Sequence, residues 1–284
     1  MTAPTPSPAP APAPVPAPYA YVSPIPVRKA HLGDALASEW TKIRSLRSTM
    51  WTLGVMVLLM LVIGLGVAAV VSNADVPADQ ESALALGFFG VLLGSICVIT
   101  LGVLTIASEY GTGMIRTTLT ACPTRGRVLG AKAVVFFLLV FTITTVTAAV
   151  VGAVQVAMVP GAAEPTSAEW LRATVGVGLF LALLGLLSLA IGAIIRHSAG
   201  AITIMIGVLL LPLVAAMFMF SESLAKVQEF LLDYAVPSQL IALYAGKSTI
   251  GQSGPSGWDP VWIMAVVTAA VMGGAYALLN SRDV

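Results

Sequence analysis

Six stretches of this chain decide what it can fold into. They lie near residues 50–71, 84–107, 133–159, 173–195, 200–220 and 261–279, and each is apolar over about the 20 residues that a helix needs to cross ~30 Å of hydrocarbon. None contains a lysine, arginine, aspartate, glutamate or histidine. In hydrocarbon every backbone N–H and C=O must find a partner within the protein, so runs of this length fold as helices. The chain is 58% hydrophobic and 10% charged over 284 residues. A soluble domain carries roughly 25% charged residues. The expected fold is therefore an all-α membrane protein with a six-helix domain over 49–284. The run from 133 is long enough to tilt or to begin before the membrane, and Pro212 is placed to kink the fifth run.

Charge sets the orientation. With the N-terminus inside, the inner segments hold Arg28, Lys29, Lys42, Arg44, Arg47, Arg116, Arg125, Arg127, Lys132, Arg196 and Arg282, against Arg172, Lys226 and Lys247 outside. Basic residues favour the cytoplasmic side. An even number of spans then places both termini in the cytoplasm. Asp75, Asp79 and Glu81 fall in an outer loop, and the long outer segment 221–259 reads as one or two short helices followed by a Gly/Ser turn at 251–257. Two readings of that segment stay open, a lid on a substrate path and a packed cap.

The stretch 1–30 is a proline–alanine tail that holds ten of the 18 prolines within 2–26 and cannot bury a core, so a disordered cytoplasmic tail is expected. It lacks the basic start and apolar core of a secretory signal. Residues 31–48 differ: Leu32, Leu36, Trp40, Ile43 and Leu46 or Arg47 recur at helical spacing, with Asp34, Glu39, Lys42 and Arg44 elsewhere on the helix. That pattern predicts an amphipathic helix in the headgroup plane with Trp40 at the interface.

The segment 108–132, SEYGTGMIRTTLTACPTRGRVLGAK, is the longest polar interruption on the inner side. It carries Arg116, Arg125, Arg127 and Lys132 against one acid, Glu109. Thr112 is read as the cap of a short helix, Ile115, Leu119 and Cys122 as one face of it, and Pro123 as its end. Such a helix is a basic-edged knob suited to a groove on a cytoplasmic partner. The alternative is a solvated basic loop that only sets topology. Glu109 is expected to pair with Arg44 or Arg47, or else to meet water or Arg116. Gly90 with Gly94, and Ser188 with Gly192, are small-residue pairs of the kind that lets helices approach closely.

Several chemistries are excluded. No catalytic or metal-ligating constellation is present: there is no HExxH and no serine–histidine pair at membrane depth, and Cys97 and Cys122 give no disulfide framework. Gly246, Lys247, Ser248 and Thr249 imitate the end of a phosphate-binding loop, but Ile241 stands where that loop needs a glycine. Without ionisable groups in the runs, the chain has no ion-coupling site of the usual kind. If it moves a solute, the work comes from elsewhere.

These residues resemble the permease subunit of a type-two ABC exporter. The resemblance rests on the 36–48 stretch before the first span, on SEY and GMIR after the second, and on PTRGR at 123–127 before the third, and it covers nearly everything after Ala30. It implies a coupling helix at 114–122, with Glu109, Met114, Ile115, Arg116, Leu119, Arg125 and Arg127 serving ATPase coupling. It also implies a connecting helix at 31–48, with Trp40, Ile43, Arg44 and Arg47 on it. It further implies a separate ATP-binding subunit that holds the ATP, so that this chain carries no cofactor, no metal and no enzyme activity. A second permease copy or paralogue, the lipid bilayer and no nucleic acid complete the expected partners. Export of an apolar or amphipathic solute across a bacterial cytoplasmic membrane is the implied function. The rival class is a multi-pass membrane protein that acts by binding, such as an immunity or sensor component.

Overall fold

The computed structural model describes residues 31–74, 82–121, 124–159, 161–246 and 254–281. The proline–alanine tail, Asp75, Asp79, Glu81, Cys122, Pro123, Lys247, Ser248, Thr249 and Arg282 lie outside these residues, as does part of the 251–257 turn. Among the described residues every regular element is helical. In chain order they are α1 (Leu32–Ser45), α2 (Arg47–Asn73), a 3-10 turn (Ala83–Gly87), α3 (Phe88–Gly111), α4 (Met114–Ala121) and α5 (Arg125–Met158). There follow α6 (Ser167–Leu171), a π turn (Arg172–Gly176), α7 (Val177–Ile195), α8 (Ser198–Met217), a second 3-10 turn (Glu222–Leu224), α9 (Ala225–Tyr234), α10 (Val236–Ala245) and α11 (Asp259–Ser281).

Six helices are long and apolar enough to cross a membrane: Arg47–Asn73, Ala83–Gly111, Arg125–Met158, Ser167–Ile195, Ser198–Met217 and Asp259–Ser281. The helix that carries the third run starts at Arg125, eight residues before the run itself. A helix does not stop where apolarity stops; it stops where backbone hydrogen bonds are lost. At the same end, α3 takes in Glu109. Helix α8 continues through Pro212, whose missing N–H leaves the Val208 carbonyl without its intrahelical donor.

The centre of the bundle is α7. Phe180, Leu181, Ala182, Leu184, Leu189 and Ala190 on it are wholly buried, and α2, α3, α5, α8 and α11 surround it or each other. Lipid tails are as apolar as leucine, so close packing holds such helices together rather than hydrophobic burial. Small residues make the approach. A Cβ on Gly102 of α3 would collide with the Gly185 carbonyl of α7, and one on Gly185 would lie 2.5 Å from the Phe136 ring of α5. Gly90 and Gly94 face Met60 of α2, while Gly192 faces the Val103 backbone of α3. Both small-residue pairs read from the sequence therefore lie at helix crossings.

A few polar bonds cross the bundle. Gln155 Nε2 of α5 donates to the Gly64 carbonyl of α2 at 2.9 Å, and Thr268 Oγ1 of α11 donates to the Leu183 carbonyl of α7 at 3.1 Å. Helix α7 ends on Arg196 in the left-handed region at φ 58°, and its guanidinium lies 5.0 Å from the centre of the Tyr110 ring on α3. Of the two short helices after α8, α10 is packed into the bundle: Leu240, Ala242 and Leu243 are wholly buried. Helix α9 leaves Val227 and Phe230 exposed.

The crossing at α7 can be tested by enlarging its glycines. Gly102→Leu and Gly185→Leu are expected to lower the thermal unfolding midpoint of the detergent-purified chain, with about 1–3 kcal/mol lost to overpacking. Gly207→Ala and Gly273→Ala, where a Cβ meets nothing within 4 Å, are expected to leave it unchanged.

Candidate functional site: a buried charge ring beside helix α4

Helix α4 is held directly by α3. The α3 backbone closes through Thr112, whose N–H and Oγ1 both donate back to the Ser108 carbonyl at 3.0 and 2.9 Å. Gly113 then turns the chain at φ +71°, where a glycine carries no steric cost. Thr112 therefore closes α3, and because α4 starts at Met114, Gly113 and not Thr112 stands at its cap position. On α4, Ile115 is buried, Leu119 is half-buried, and Met114, Arg116, Thr117 and Thr120 are exposed. Cys122, the third member of the expected apolar face, is outside the described residues.

Beneath α4 lies a ring of four charges. Lys42 Nζ donates to Glu39 Oε1 at 2.7 Å and to Glu109 Oε1 at 3.0 Å. Lys132 Nζ donates to Glu39 Oε2 at 2.7 Å and to Glu109 Oε1 at 2.9 Å. Each acid meets both bases, and the ring is formally neutral. It joins α1, α3 and α5, and Lys42 Nζ also reaches Thr118 Oγ1 of α4 at 3.5 Å. Glu39, Glu109 and Lys132 are 4%, 2% and 2% exposed. Lys132 sits seven residues into α5, about 10 Å along its axis from the first residue.

Burial by itself would raise the Glu39 carboxyl, but the Lys132 and Lys42 ammoniums outweigh it and hold the group below its ordinary value. Burial would likewise lower the Lys42 amine, and Glu39 and Glu109 reverse the sign and raise it. Both groups are thus charged across the neutral range, as mutual pairing requires.

The sequence reading placed one member of this ring, Glu109, and gave it the wrong partners. Arg44 and Arg47 are exposed and do not reach it. The reason is the register of α1: Glu39 and Ile43 are buried one turn apart, which turns Arg44 outward. The apolar stripe on α1 stays largely outside the protein core. Ile43 is buried, but Leu32, Trp40 and Leu46 stay about half exposed. Trp40 with Leu36 forms one wall of an apolar groove whose other wall is Val134, Leu138 and Thr142 of α5. Arg125 is drawn toward α11, where it donates to the Leu279 carbonyl at 2.5 Å. Arg127 lines an open polar cleft with Thr124, Tyr276 and Asn280. Lys132 had been counted only as a topology charge. Its one sequence signal is position: it is the last charge before a long apolar run, seven residues after the start of the helix.

Next to the ring is a cavity of about 140 Å³ between α1, α2, α3 and α4. Among the described residues no group of three or more His, Cys, Asp or Glu is placed to hold a metal ion.

Residues 35–211 match the family described as ABC-2 family transporter protein. The match takes in α1 through most of α8 and so contains the whole charge ring. No curated protein sequence matches the chain.

Lys132→Met leaves two buried carboxylates on one ammonium. It is expected to destabilise the purified chain by about 3–5 kcal/mol, whereas Arg44→Ala changes the unfolding midpoint little. The pH dependence follows from the signs. The lowered Glu39 pKa stabilises above its ordinary value of about 4.3 and is lost as pH falls through the lowered one. The raised Lys42 pKa stabilises fully below about 10.4 and is lost as pH rises through the raised one. Thermal scans should therefore show these contributions flat from about pH 5 to pH 10, with the acid-side fall reduced in Glu39→Gln.

Proposed function

The chain belongs to the ABC-2 family of transporter proteins, and from that premise we propose that it is the permease subunit of an ATP-driven exporter in a bacterial cytoplasmic membrane. A multi-pass membrane protein of this family is a transport component, and the work is supplied by a separate ATP-binding subunit. The basic residues of α1, α4 and the start of α5 belong to the side with the cationic excess, which supports a cytoplasmic position for that end of the bundle and for both termini. A second copy or paralogue completes the transport path, and an apolar or amphipathic solute is the cargo class that the aliphatic spans favour.

The observation that carries this reading is the ring of four charges under α4. Helix α4 presents Met114 and Arg116 outward while Ile115 is buried. A groove on the ATPase that grips this exposed edge displaces α4, and α4 is continuous with α3 through Thr112 and Gly113. The ring then passes the displacement on, because Glu109 of α3 is bonded to Lys42 of α1 and Lys132 of α5. Bonds between charged groups in a low-dielectric site are short and stiff, so three helices move with α4 instead of one. Spans α3 and α5 thereby tilt together, which is the motion that alternating access requires. In this reading α1 lies along the headgroups with Trp40 toward lipid, and its Glu39 and Lys42 face inward as the lever arm.

Arg116→Glu and Leu119→Asp are expected to leave the protein inserted while abolishing co-purification with its ATP-binding subunit. Retention of the ATPase by both variants overturns the coupling role. A Thr124→Cys variant is expected to react with a membrane-impermeant maleimide in inverted vesicles and not in intact cells.

A further inference from the structure

The apolar groove between α1 and α5 has a volume of about 530 Å³. Its α1 wall is Leu36, Ala37 and Trp40, and its α5 wall runs from Val134 through Leu138 to Ile143. The Thr142 hydroxyl and the Trp40 indole N–H are the only polar side-chain groups of the lining. Ala37, Trp40, Val134, Leu138 and Thr142 are exposed, so the groove opens away from the bundle along the flank of a membrane-spanning helix.

Depth and charge together define its occupant. Val134 and Ile143 are about 14 Å apart along the α5 axis, which is the depth of one leaflet of a ~30 Å hydrocarbon layer. Lys132 of the charge ring stands just before Val134 and marks the polar end of that wall. Leu36, Trp40 and Arg44 follow one another at intervals of four residues and so form one row along α1. Arg44 is exposed, and it makes no hydrogen bond or ion pair with any described residue. The four ring charges cancel, and Asp34, toward the other end of α1, accepts from the His31 N–H at 2.9 Å. The row that lines the groove therefore ends on a free cation. We propose that the groove holds one acyl chain of an anionic phospholipid whose phosphate meets the Arg44 guanidinium. Arginine N–H donors in a planar fork match phosphate oxygens. A choline or ethanolamine headgroup would bring a second cation beside Arg44, where like charges repel. The lipid lies across the same two helices that the Glu39–Lys132 bond joins, so it adds to the hold of α1 on α5.

This site rests on α1 lying at the headgroups and not on the ATPase, so its test uses the full-length chain by itself. The chain in delipidated detergent micelles is titrated with phosphatidylglycerol, and with phosphatidylcholine of the same acyl chains, by native mass spectrometry and thermal unfolding. One retained phosphatidylglycerol and a raised unfolding midpoint are expected, with phosphatidylcholine bound about fivefold more weakly. Ala37→Phe and Thr142→Phe fill the groove from its two walls and are each expected to weaken retention at least tenfold. Arg44→Gln is expected to erase the preference between the two lipids, a loss of about fivefold for one arginine at an anionic surface. All three positions are exposed, so the variants should unfold at the wild-type temperature before lipid is added. Retention of phosphatidylglycerol undiminished in both folded phenylalanine variants overturns the site. Equal retention of the two lipids by the unaltered chain overturns the anionic assignment. A dimer in micelles that Ala37→Phe dissociates puts a second copy in the groove and overturns the lipid.

Discussion

Taking an isolated charge out of water costs several kcal/mol, and partners repay it only when geometry is close and most lone pairs are met. Here two acids and one base, Lys132, leave water together, and a second base, Lys42, closes the ring from a partly exposed position. Glu39 spends both oxygens on the two lysines, and Glu109 spends one oxygen on both. No single pair among the four is self-sufficient, because removal of any member leaves an excess buried charge on the others. Helices α1, α3 and α5 therefore have to meet in one arrangement at this end of the bundle. Apolar packing alone would tolerate sliding and rotation between them; hydrogen bonds of 2.7–3.0 Å from directional donors do not.

The rest of the bundle supplies the opposite kind of constraint. Around α7, contacts are made by backbone and small side chains: Gly102 against Gly185, Gly192 against Val103. These crossings hold by dispersion and permit no extra atom. The molecule thus has a close-packed apolar middle and a polar lock at one end, and α4 is attached at the lock. A displacement applied to α4 enters where the coupling is electrostatic and directional. It reaches α7 only after passing through α3 and α5. That order of stiffness is why the ring, and not the apolar crossings, carries the proposed transmission of force.

Much of this was legible along the chain. Six uncharged apolar runs, the short polar helix between the second and third, and the small-residue pairs at helix crossings all depend on local pattern, and local pattern is what sequence displays directly. The family resemblance rested on the same stretches that the family match covers. One local reading failed for a local reason: Thr112 closes α3, and Gly113, not Thr112, directly precedes α4. The stripe on α1 reads as lying in the headgroup plane with Trp40 at the interface, and Leu32, Trp40 and Leu46 are about half exposed while Glu39 and Ile43 are buried.

The ring itself could not be read in advance. Glu39, Lys42, Glu109 and Lys132 span 93 residues between the first and last, and nothing in their spacing ties one to another. The sequence by itself determined six runs long and apolar enough to cross a membrane and an excess of basic residues in the segments between alternate runs, because hydrophobic length and charge count are sums over neighbouring residues. Only the tertiary structure decided which charges leave water, since that depends on three helices that bring side chains distant in the chain within 3 Å of one another.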